Sequence, residues 1–185
     1  DYLVEGKSVS RGGGDGYSRL PALYRKVLTK PELAPGSRVW LEFDGVYRMS
    51  RYWINGKPID VHPGGFVLNR IDVTDALKPG QNSLVVSADP TISSESGFDG
   101  AGIYRSVRMV VVAPEHVAPD GIFVTSTIPD PKDGVTAPAV VNVSASINNT
   151  GKSGVAAEVI HEVMDAEGHV VQSATQRQQL AEGET

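Results

Sequence analysis

The dipeptide Asn55-Gly56 constrains the fold of this chain more than any other feature of its sequence. It lies between two short stretches with apolar residues, 52–54 and 57–59. Asn-Gly in that setting is the strongest short-range signal for a β-hairpin, because both central residues of a type I′ turn need positive φ angles. Pro58 cannot donate a hydrogen bond within a sheet, so the second strand is expected at a sheet edge or at a bulge.

Further strands are predicted on both sides of this hairpin. Residues 38–43 alternate as a half-buried strand does, and residues 83–88 form another candidate. The stretch 107–112 is apolar at all but one position, which favours a strand buried on both faces. Residues 72–77 indicate a strand end followed by one helical turn capped by Thr74. Together these elements predict an antiparallel sandwich. Its long loops are predicted at 5–22, 62–70 and 89–102.

The composition changes near Pro114, where an apolar run ends. All aromatic residues except Phe123 precede this point, and the acidic excess behind the net charge of −5 lies after it. We therefore predict two domains, 1–115 and 116–185. The strands and turns of the second are spaced as in an immunoglobulin-like sandwich, but they are too few for that fold, so the domain is expected to be truncated, with an open sheet edge. Its strand candidates are 121–127, 139–148, 155–164 and 169–174.

Composition also excludes several classes of function. The chain has no cysteine, which rules out disulfides, thiol catalysis and thiolate zinc sites. Its four histidines are scattered without ligand spacing, so neither a metal nor another cofactor is expected. No basic stripe suits nucleic acid, and no apolar run is long enough to cross a membrane. The first residue is Asp1 and not Met, so localisation stays open between a periplasmic or secreted protein and a cytoplasmic one.

A second informative segment is Gly100 to Arg105, in which a glycine-rich turn runs into an apolar strand. Alone it indicates only a turn that needs positive φ angles or close approach of another segment. Together with six other segments in the same order, however, it resembles the N-terminal region of glycoside hydrolase family 2, which contains β-galactosidases and β-glucuronidases. The other segments are Tyr24-Arg25-Lys26, 41–46, Trp53-Ile54-Asn55-Gly56, His62-Pro63-Gly64-Gly65-Phe66, Asp72-Val73-Thr74 and 77–82.

The resemblance implies that residues 1–115 form a jelly-roll sugar-binding domain with a galactose-binding-domain-like fold, and that 116–185 begin an immunoglobulin-like domain. It also implies a (β/α)₈ barrel, outside these residues, with two glutamates that act in a retaining mechanism. This chain alone is then expected to be inactive. Its implied partners are that barrel and, in the intact enzyme, a carbohydrate of the β-galactoside type. A homo-oligomer is also possible.

In family members, the loop before the glycine-rich turn supplies an aspartate that contacts the sugar, nine residues before the motif arginine. Counting from Arg105, this position is Ser96, so the carboxylate is missing unless Asp99 replaces it from a shifted loop. The resemblance therefore implies Ser96, Phe98 and Asp99 as contacts at the substrate rim, against the alternative of a plain surface loop. A catalytic pair of Glu95 and Asp99 is not expected, since nothing in this polar loop raises a pKa.

Other polar and aromatic residues have competing interpretations. Arg105 has the planar fork that binds an anionic sugar such as a uronate, but pairing with a buried acid or with loop carbonyls is favoured. His62 is expected to hydrogen-bond within its own loop. Trp40 and Trp53 are expected to pack in the core and the hairpin and not to stack on a sugar. Better carbohydrate-facing candidates are Tyr17, Tyr47 and Phe66.

The sequence thus predicts a non-catalytic accessory region that supports a catalytic barrel and lends a loop to its sugar-binding rim. An independent carbohydrate-binding module and a structural segment for oligomer contacts are the alternatives. The family positions expected to hold the loops in place are Trp53, Asn55, Gly56, His62, Gly64, Gly65, Gly100, Gly102, Tyr104 and Arg105.

Overall fold

A computed structural model describes residues 3–4, 21–92, 102–128 and 138–183 of the chain. These ranges are dominated by β-strands, and their one helical element is a short 3-10 helix, Pro90–Ile92. The predicted all-β fold class is confirmed. The rim candidates Ser96, Phe98 and Asp99 lie outside the described residues, as do Glu95, Gly100 and Tyr17.

The strands are, in chain order, β1 (Leu3–Val4), β2 (Ala22–Thr29), β3 (Arg38–Phe43), β4 (Val46–Tyr47), β5 (Ser50–Ile54), β6 (Lys57–His62), β7 (Asn69–Asp72), β8 (Gln81–Ala88), β9 (Gly102–Ile103), β10 (Val107–Val112), β11 (Glu115–Thr127), β12 (Val140–Asn149), β13 (Val155–Met164) and β14 (Val170–Leu180). They belong to two compact units. The first unit comprises Asp1–Leu33 and Arg38–Val111, and the second Ala34–Ser37 and Val112–Thr185.

The first unit is an antiparallel sandwich. One sheet has the strand order β1-β2-β8-β5-β6 and the other β10-β3-β7, while β4 and β9 pair separately. Phe43 of β3 packs on Tyr52 of β5 with 4.9 Å between ring centroids, so the core lies between the two sheets. Alternate residues of β3, β5 and β8 are buried, as the pleat of a strand requires.

The hairpin predicted from Asn55-Gly56 is confirmed. The two residues have φ angles of 53° and 79°, as a type I′ turn needs, and Ile54 pairs with Lys57 across it. Pro58 was expected at a sheet edge or at a bulge, and it lies at both. Strand β6 is the edge strand of its sheet, and its register with β5 shifts between Tyr52 and Trp53.

Two local predictions in this unit were wrong. Strand β10 is the edge strand of its sheet and exposes Val107 and Val111, so its apolar run does not mark burial on both faces. The turn after β7 is capped by Asp72, whose Oδ1 accepts the backbone N–H of Thr74 at 2.9 Å. The Thr74 hydroxyl donates to the same Oδ1 at 2.7 Å and accepts the N–H of Val39 in strand β3 at 2.8 Å, so it links the turn to β3 and does not cap it.

In the second unit β11 pairs with β12 and β13 with β14, all antiparallel. Strand β11 begins at Glu115 and not at Gly121, because its pairing with β12 continues across a register shift between Val117 and Ile122. Strand β14 likewise extends to Leu180. The completely buried Asn149 fixes the end of β12 by donating two hydrogen bonds of 2.9 Å from Nδ2, to the carbonyl oxygens of Ser153 and Ala181.

Asn82 holds the hairpin end of the first unit together. Its Oδ1 accepts from Asn55 Nδ2 at 2.8 Å and from the backbone N–H of Lys78 at 2.9 Å. Its Nδ2 donates to the carbonyl oxygens of Lys78 and Gly80 at 2.9 and 3.0 Å. The amide is 2% exposed and uses its full hydrogen-bonding capacity, so its removal breaks four hydrogen bonds at once.

We expect Asn82→Ala to lower the free energy of unfolding by about 2–4 kcal/mol, because all four hydrogen bonds of a buried amide are lost. Both tryptophans of the chain lie in this unit, so urea unfolding followed by tryptophan fluorescence reports on it. The matched control is Gln81→Ala, at the exposed neighbouring position of β8. A loss for Asn82→Ala no larger than that of the control would contradict the assignment.

The turn after β7 carries a pH-dependent contribution. Burial alone would raise the pKa of Asp72, but hydrogen bonds from Thr74 and Arg38 outweigh it and leave the pKa below its ordinary value. A lowered pKa in the folded state means that the stabilisation is present above the unfolded-state value and is lost as the pH falls through the folded-state value.

Stability of the first unit is therefore expected to fall between about pH 4 and pH 2 partly through Asp72, and Asp72→Asn should flatten this fall. Urea midpoints measured across that range check it. Asp75→Asn is the control, since Asp75 lies on the same turn with its side chain 88% exposed. Equal pH profiles for wild type and Asp72→Asn would show that the Asp72 carboxylate contributes nothing to the pH dependence of stability.

Candidate functional site

The family segments divide between the two ends of the first unit. Pairing of Phe43 with Asn69 and of Ser50 with His62 brings the loops 44–49 and 63–68 to the same end. The turn 102–106 joins them there, because Val46 and Tyr47 pair with Ile103 and Gly102. We call these three segments the loop end. The turn at Asn55-Gly56 lies at the opposite ends of β5 and β6, where it serves the fold.

An aromatic cluster covers the loop end. The ring centroids of Tyr47 and Phe66 are 5.2 Å apart, and those of Phe66 and Tyr104 are 6.5 Å apart with an edge-on geometry. Tyr104 also donates a hydrogen bond of 2.8 Å from its hydroxyl to the carbonyl oxygen of Gly65. Tyr47 is buried, whereas Phe66 is 69% exposed, so of these two carbohydrate-facing candidates only Phe66 presents a surface.

Glycines allow the aromatic rings to come this close. A Cβ atom at Gly45 would overlap the ring of Tyr104, and one at Gly65 would overlap the ring of Tyr47. At Gly102 the backbone has a φ of 133° and the hydroxyl of Tyr24 occupies the position of a Cβ. That hydroxyl accepts the N–H of Ile103 at 3.2 Å. The glycine-rich turn is thus fixed to strand β2 by direct contact, which the sequence indicated only as a close approach.

The arginine that pairs with acids is Arg108 and not Arg105. Arg108 donates to both carboxylate oxygens of Asp44, at 2.6 and 2.7 Å, and to Glu42 at 3.3 Å. These hydrogen bonds lower the pKa of Asp44, and Arg105 adds a smaller contribution through its charge. Within the described ranges Arg105 forms no ion pair and lies over the ring of Tyr104, 5.6 Å from its centroid. Its predicted pairing with a buried acid was wrong, because Arg108 reaches those acids from β10.

His62 does not bond within its own glycine loop, as the sequence predicted. Its Nε2 lies 3.0 Å from Oδ2 of Asp60, two residues earlier on the same face of β6. Trp40 donates a long hydrogen bond of 3.3 Å from Nε1 to Asp72 and has Arg70 over its ring. Trp53 is half-buried in the hairpin strand β5, as predicted. Trp40 is half-buried between the buried Val39 and Leu41, so it lies on the outward face of β3 and its predicted core position was wrong.

A buried polar group lies directly beneath the loop end. Asn69 donates from Nδ2 to the hydroxyl of Tyr52 at 2.7 Å and to Ser50 at 3.2 Å, and Tyr52 donates to Ser50 at 3.0 Å. Burial raises the pKa of Tyr52, while the hydrogen bonds of Ser50 and Asn69 oppose this rise. These groups join β5 of one sheet to β7 of the other and fix the base from which the loops leave.

The charged groups of the described ranges do not form an acid–base pair for hydrolysis. A glycosidase needs one carboxyl group with a raised pKa as general acid. The carboxyl groups whose pKa is shifted here, Asp44, Asp72, Asp89 and Asp165, all have it lowered. No group of three or more potential metal ligands occurs in the described part either. The same part holds no helix long and apolar enough to span a membrane.

The two flanks of the segment 93–101 are fixed at the loop end. Before it, Asp89 donates its N–H to the carbonyl oxygen of Arg48 at 2.7 Å, and its Oδ1 accepts from the backbone and hydroxyl of Thr91. After it, Ile103 bonds to Tyr24, and Tyr104 donates its N–H to Gly45 at 3.2 Å. The sequence did not predict the Asp89 cap, although Asp-Pro-Thr is a turn-initiating pattern.

Two openings adjoin the turn 102–106. A shallow cleft of about 490 Å³ is lined by Tyr24, Ile103, Tyr104, Arg105, Ser106 and Val107. A smaller cavity of about 190 Å³ lies between the sheets, with an almost wholly apolar lining that includes Leu28, Phe43 and Met109. The cavity offers few partners for the hydroxyl groups of a sugar, whereas the cleft combines apolar walls with hydroxyl and guanidinium groups.

Comparison with known proteins identifies the family. The glycosyl hydrolase 2 galactose-binding domain-like family matches residues 17–98. The chain is 32% identical over 98% of its length to a putative β-glucuronidase of Formosa agariphila, and 33% identical over 92% to the β-galactosidase BoGH2A of Bacteroides ovatus.

The structure is similar to a β-glucuronidase of Bacteroides uniformis, with a TM-score of 0.78, 25% identity and 90% of the chain covered. The chain spans 17%, 20% and 20% of the lengths of these three proteins. It belongs to glycoside hydrolase family 2 and corresponds to the N-terminal, galactose-binding-like region of these enzymes.

Proposed function

We propose that this chain is a non-catalytic accessory region of a β-galactosidase-like enzyme, in which the loop end forms part of the sugar-binding rim beside a catalytic barrel. The observation that carries the proposal is the anchoring of both flanks of segment 93–101 to the loop end. Asp89 fixes one flank and Ile103 the other. The segment that contains the predicted rim residues Ser96, Phe98 and Asp99 therefore lies between two fixed flanks.

The electrostatics of the described residues favour a binding role over a catalytic one. Asp44 and Asp89 have lowered pKa values, so both stay ionised at neutral pH and accept hydrogen bonds from Arg108 and Thr91. Ionised carboxylates held in this way position loops but do not donate protons to a glycosidic oxygen. We propose that proton transfer and nucleophilic attack belong to the barrel.

Expressed alone, the chain is expected to hydrolyse neither p-nitrophenyl β-galactoside nor p-nitrophenyl β-glucuronide. Absorbance at the nitrophenolate band measures this, with a family 2 β-galactosidase as positive control. Turnover that scales with the concentration of the chain would contradict an accessory role.

In the longer enzyme to which we assign the chain, deletion of residues 94–100 is expected to raise KM about 10-fold with a smaller change in kcat, because a substrate contact is lost and the chemistry is not. The point variant Ser96→Ala should move KM in the same direction. Ser94→Ala, two residues away, is the matched control. Unchanged kinetics after the deletion would show that residues 94–100 do not contact the substrate.

One observation favours the alternative of an independent carbohydrate-binding module. Phe66 exposes 69% of its surface and is held by Tyr47 and by the edge of Tyr104, and a rigid exposed aromatic ring is a common platform for sugars. An accessory region completes its sugar site only with the barrel, whereas a module binds without it.

Calorimetric titration of the chain with methyl β-galactoside separates the two functions. The accessory role predicts no saturation up to about 50 mM ligand. Saturable binding that is lost in Phe66→Ala and kept in Val61→Ala, a control at an exposed apolar position of β6, would establish the module instead.

A further inference from the structure

The charges near the turn 102–106 leave one cation in excess. Glu42 pairs with Arg70 at 2.7 Å and with Arg108 at 3.3 Å, and Asp44 pairs with Arg108 at 2.6 Å. Two carboxylates are thus matched by two guanidinium groups. Arg105 is the third cation of this group, and its side chain contacts the ring of Tyr104 in place of a carboxylate.

Arg105 is held in position although no carboxylate of the described residues forms an ion pair with it. The ring beneath its guanidinium group is fixed, since Tyr104 donates to the carbonyl oxygen of Gly65 and packs on Gly45. A guanidinium group stacked on a fixed ring loses less conformational entropy when it binds an anion than a freely moving one. The arrangement favours recognition of a planar or tetrahedral anionic group.

The cleft beside Arg105 has the composition of a sugar site. Ile103, Val107 and the ring of Tyr104 provide apolar walls for the C–H face of a pyranose, and Ser106 and Tyr24 provide hydroxyl groups. Its volume of about 490 Å³ exceeds that of one monosaccharide and suits a unit within a longer glycan. The six lining residues named here belong to the described part of the first unit.

We propose that the cleft at Tyr104, Arg105 and Ser106 binds an acidic unit of a glycan, with its carboxylate or sulfate group on Arg105. The sugar ring lies against Ile103 and Val107, and its hydroxyl groups bond to Ser106 and Tyr24. Asp44 feels the charge of Arg105 but accepts its hydrogen bonds from Arg108, and no carboxylate of the described residues forms an ion pair with the guanidinium group of Arg105. The role of this site is to hold a charged unit of the polymer.

The test uses the chain itself and three ligands: methyl β-glucuronide, galactose 6-sulfate and neutral methyl β-galactoside. Chemical shifts of the backbone amides report the site of binding, and titration gives the affinity. We expect one or both acidic ligands to bind with Kd in the millimolar range, with the largest shifts at 103–107, and the neutral ligand to bind at least about 10-fold more weakly. The two acidic ligands distinguish a carboxylate site from a sulfate site.

Substitutions of Arg105 test how much its positive charge contributes to binding, apart from the apolar walls of the cleft. Arg105→Gln should weaken binding of the acidic ligand about 10-fold, because the positive charge is lost. Arg105→Lys should weaken it by less, because the ammonium group keeps the charge but lacks the two parallel N–H donors of the guanidinium group. Arg177→Gln, which removes an exposed arginine of the second unit, is the control and should leave the affinity unchanged.

Equal affinity of wild type and Arg105→Gln for the acidic ligands would overturn the inference, as would equal binding of neutral and acidic ligands or the absence of shifts at 103–107. None of these results bears on the rim role, which is tested by the kinetics of the longer enzyme and not by these ligands.

Discussion

The contact between Phe43 and Tyr52 is the interaction on which the rest of the first unit depends. It joins the two sheets at the centre of the core, and it buries a hydroxyl group that needs hydrogen-bond partners. Asn69 and Ser50 supply these partners, one from each sheet. Because Asn69 begins β7 and Ser50 begins β5, this requirement fixes the positions from which the loops depart. The geometry of the loop end is therefore set by the core beneath it.

Above this base, aromatic rings and glycines determine the loops together. Tyr104 and Tyr47 fill the space that side chains would need at Gly45 and Gly65, so neither ring can be placed without its glycine. The same contacts bring the turn 102–106 against the loops 44–49 and 63–68, which are distant in sequence. Most of the fixed geometry comes from packing and backbone bonds and not from ion pairs, which are weak at exposed positions.

The sequence predicted what depends on local chemistry. Asn55-Gly56 specified the hairpin because only the turn and its two neighbouring strands are involved, and the alternation at 38–43 specified β3 for the same reason. It did not predict what depends on pairing across the sheets. The apolar run of β10 carries no sign that the strand lies at an edge, and Arg105 and Arg108 are equivalent in sequence until the position of Asp44 is known. His62 was misassigned because its partner, Asp60, lies on the same face of its own strand and not in the loop that follows.

Arg105 and Arg108 lie close together in the sequence but have different roles. Arg108 is structural, and Arg105 is the residue that we propose for binding. Arg108 lies on a paired strand, so its side chain crosses to β3 and neutralises Asp44 and Glu42. Arg105 lies in the turn before that strand, where its side chain lies over the ring of Tyr104 and forms no ion pair with a described carboxylate. If Glu42 and Asp44 had no arginine partners, they would attract the side chain of Arg105, and the cleft would lose its positive charge. The pairing made by Arg108 is therefore what leaves a positive charge at the surface, and the strength of any anion site at the turn depends on how completely that pairing is formed.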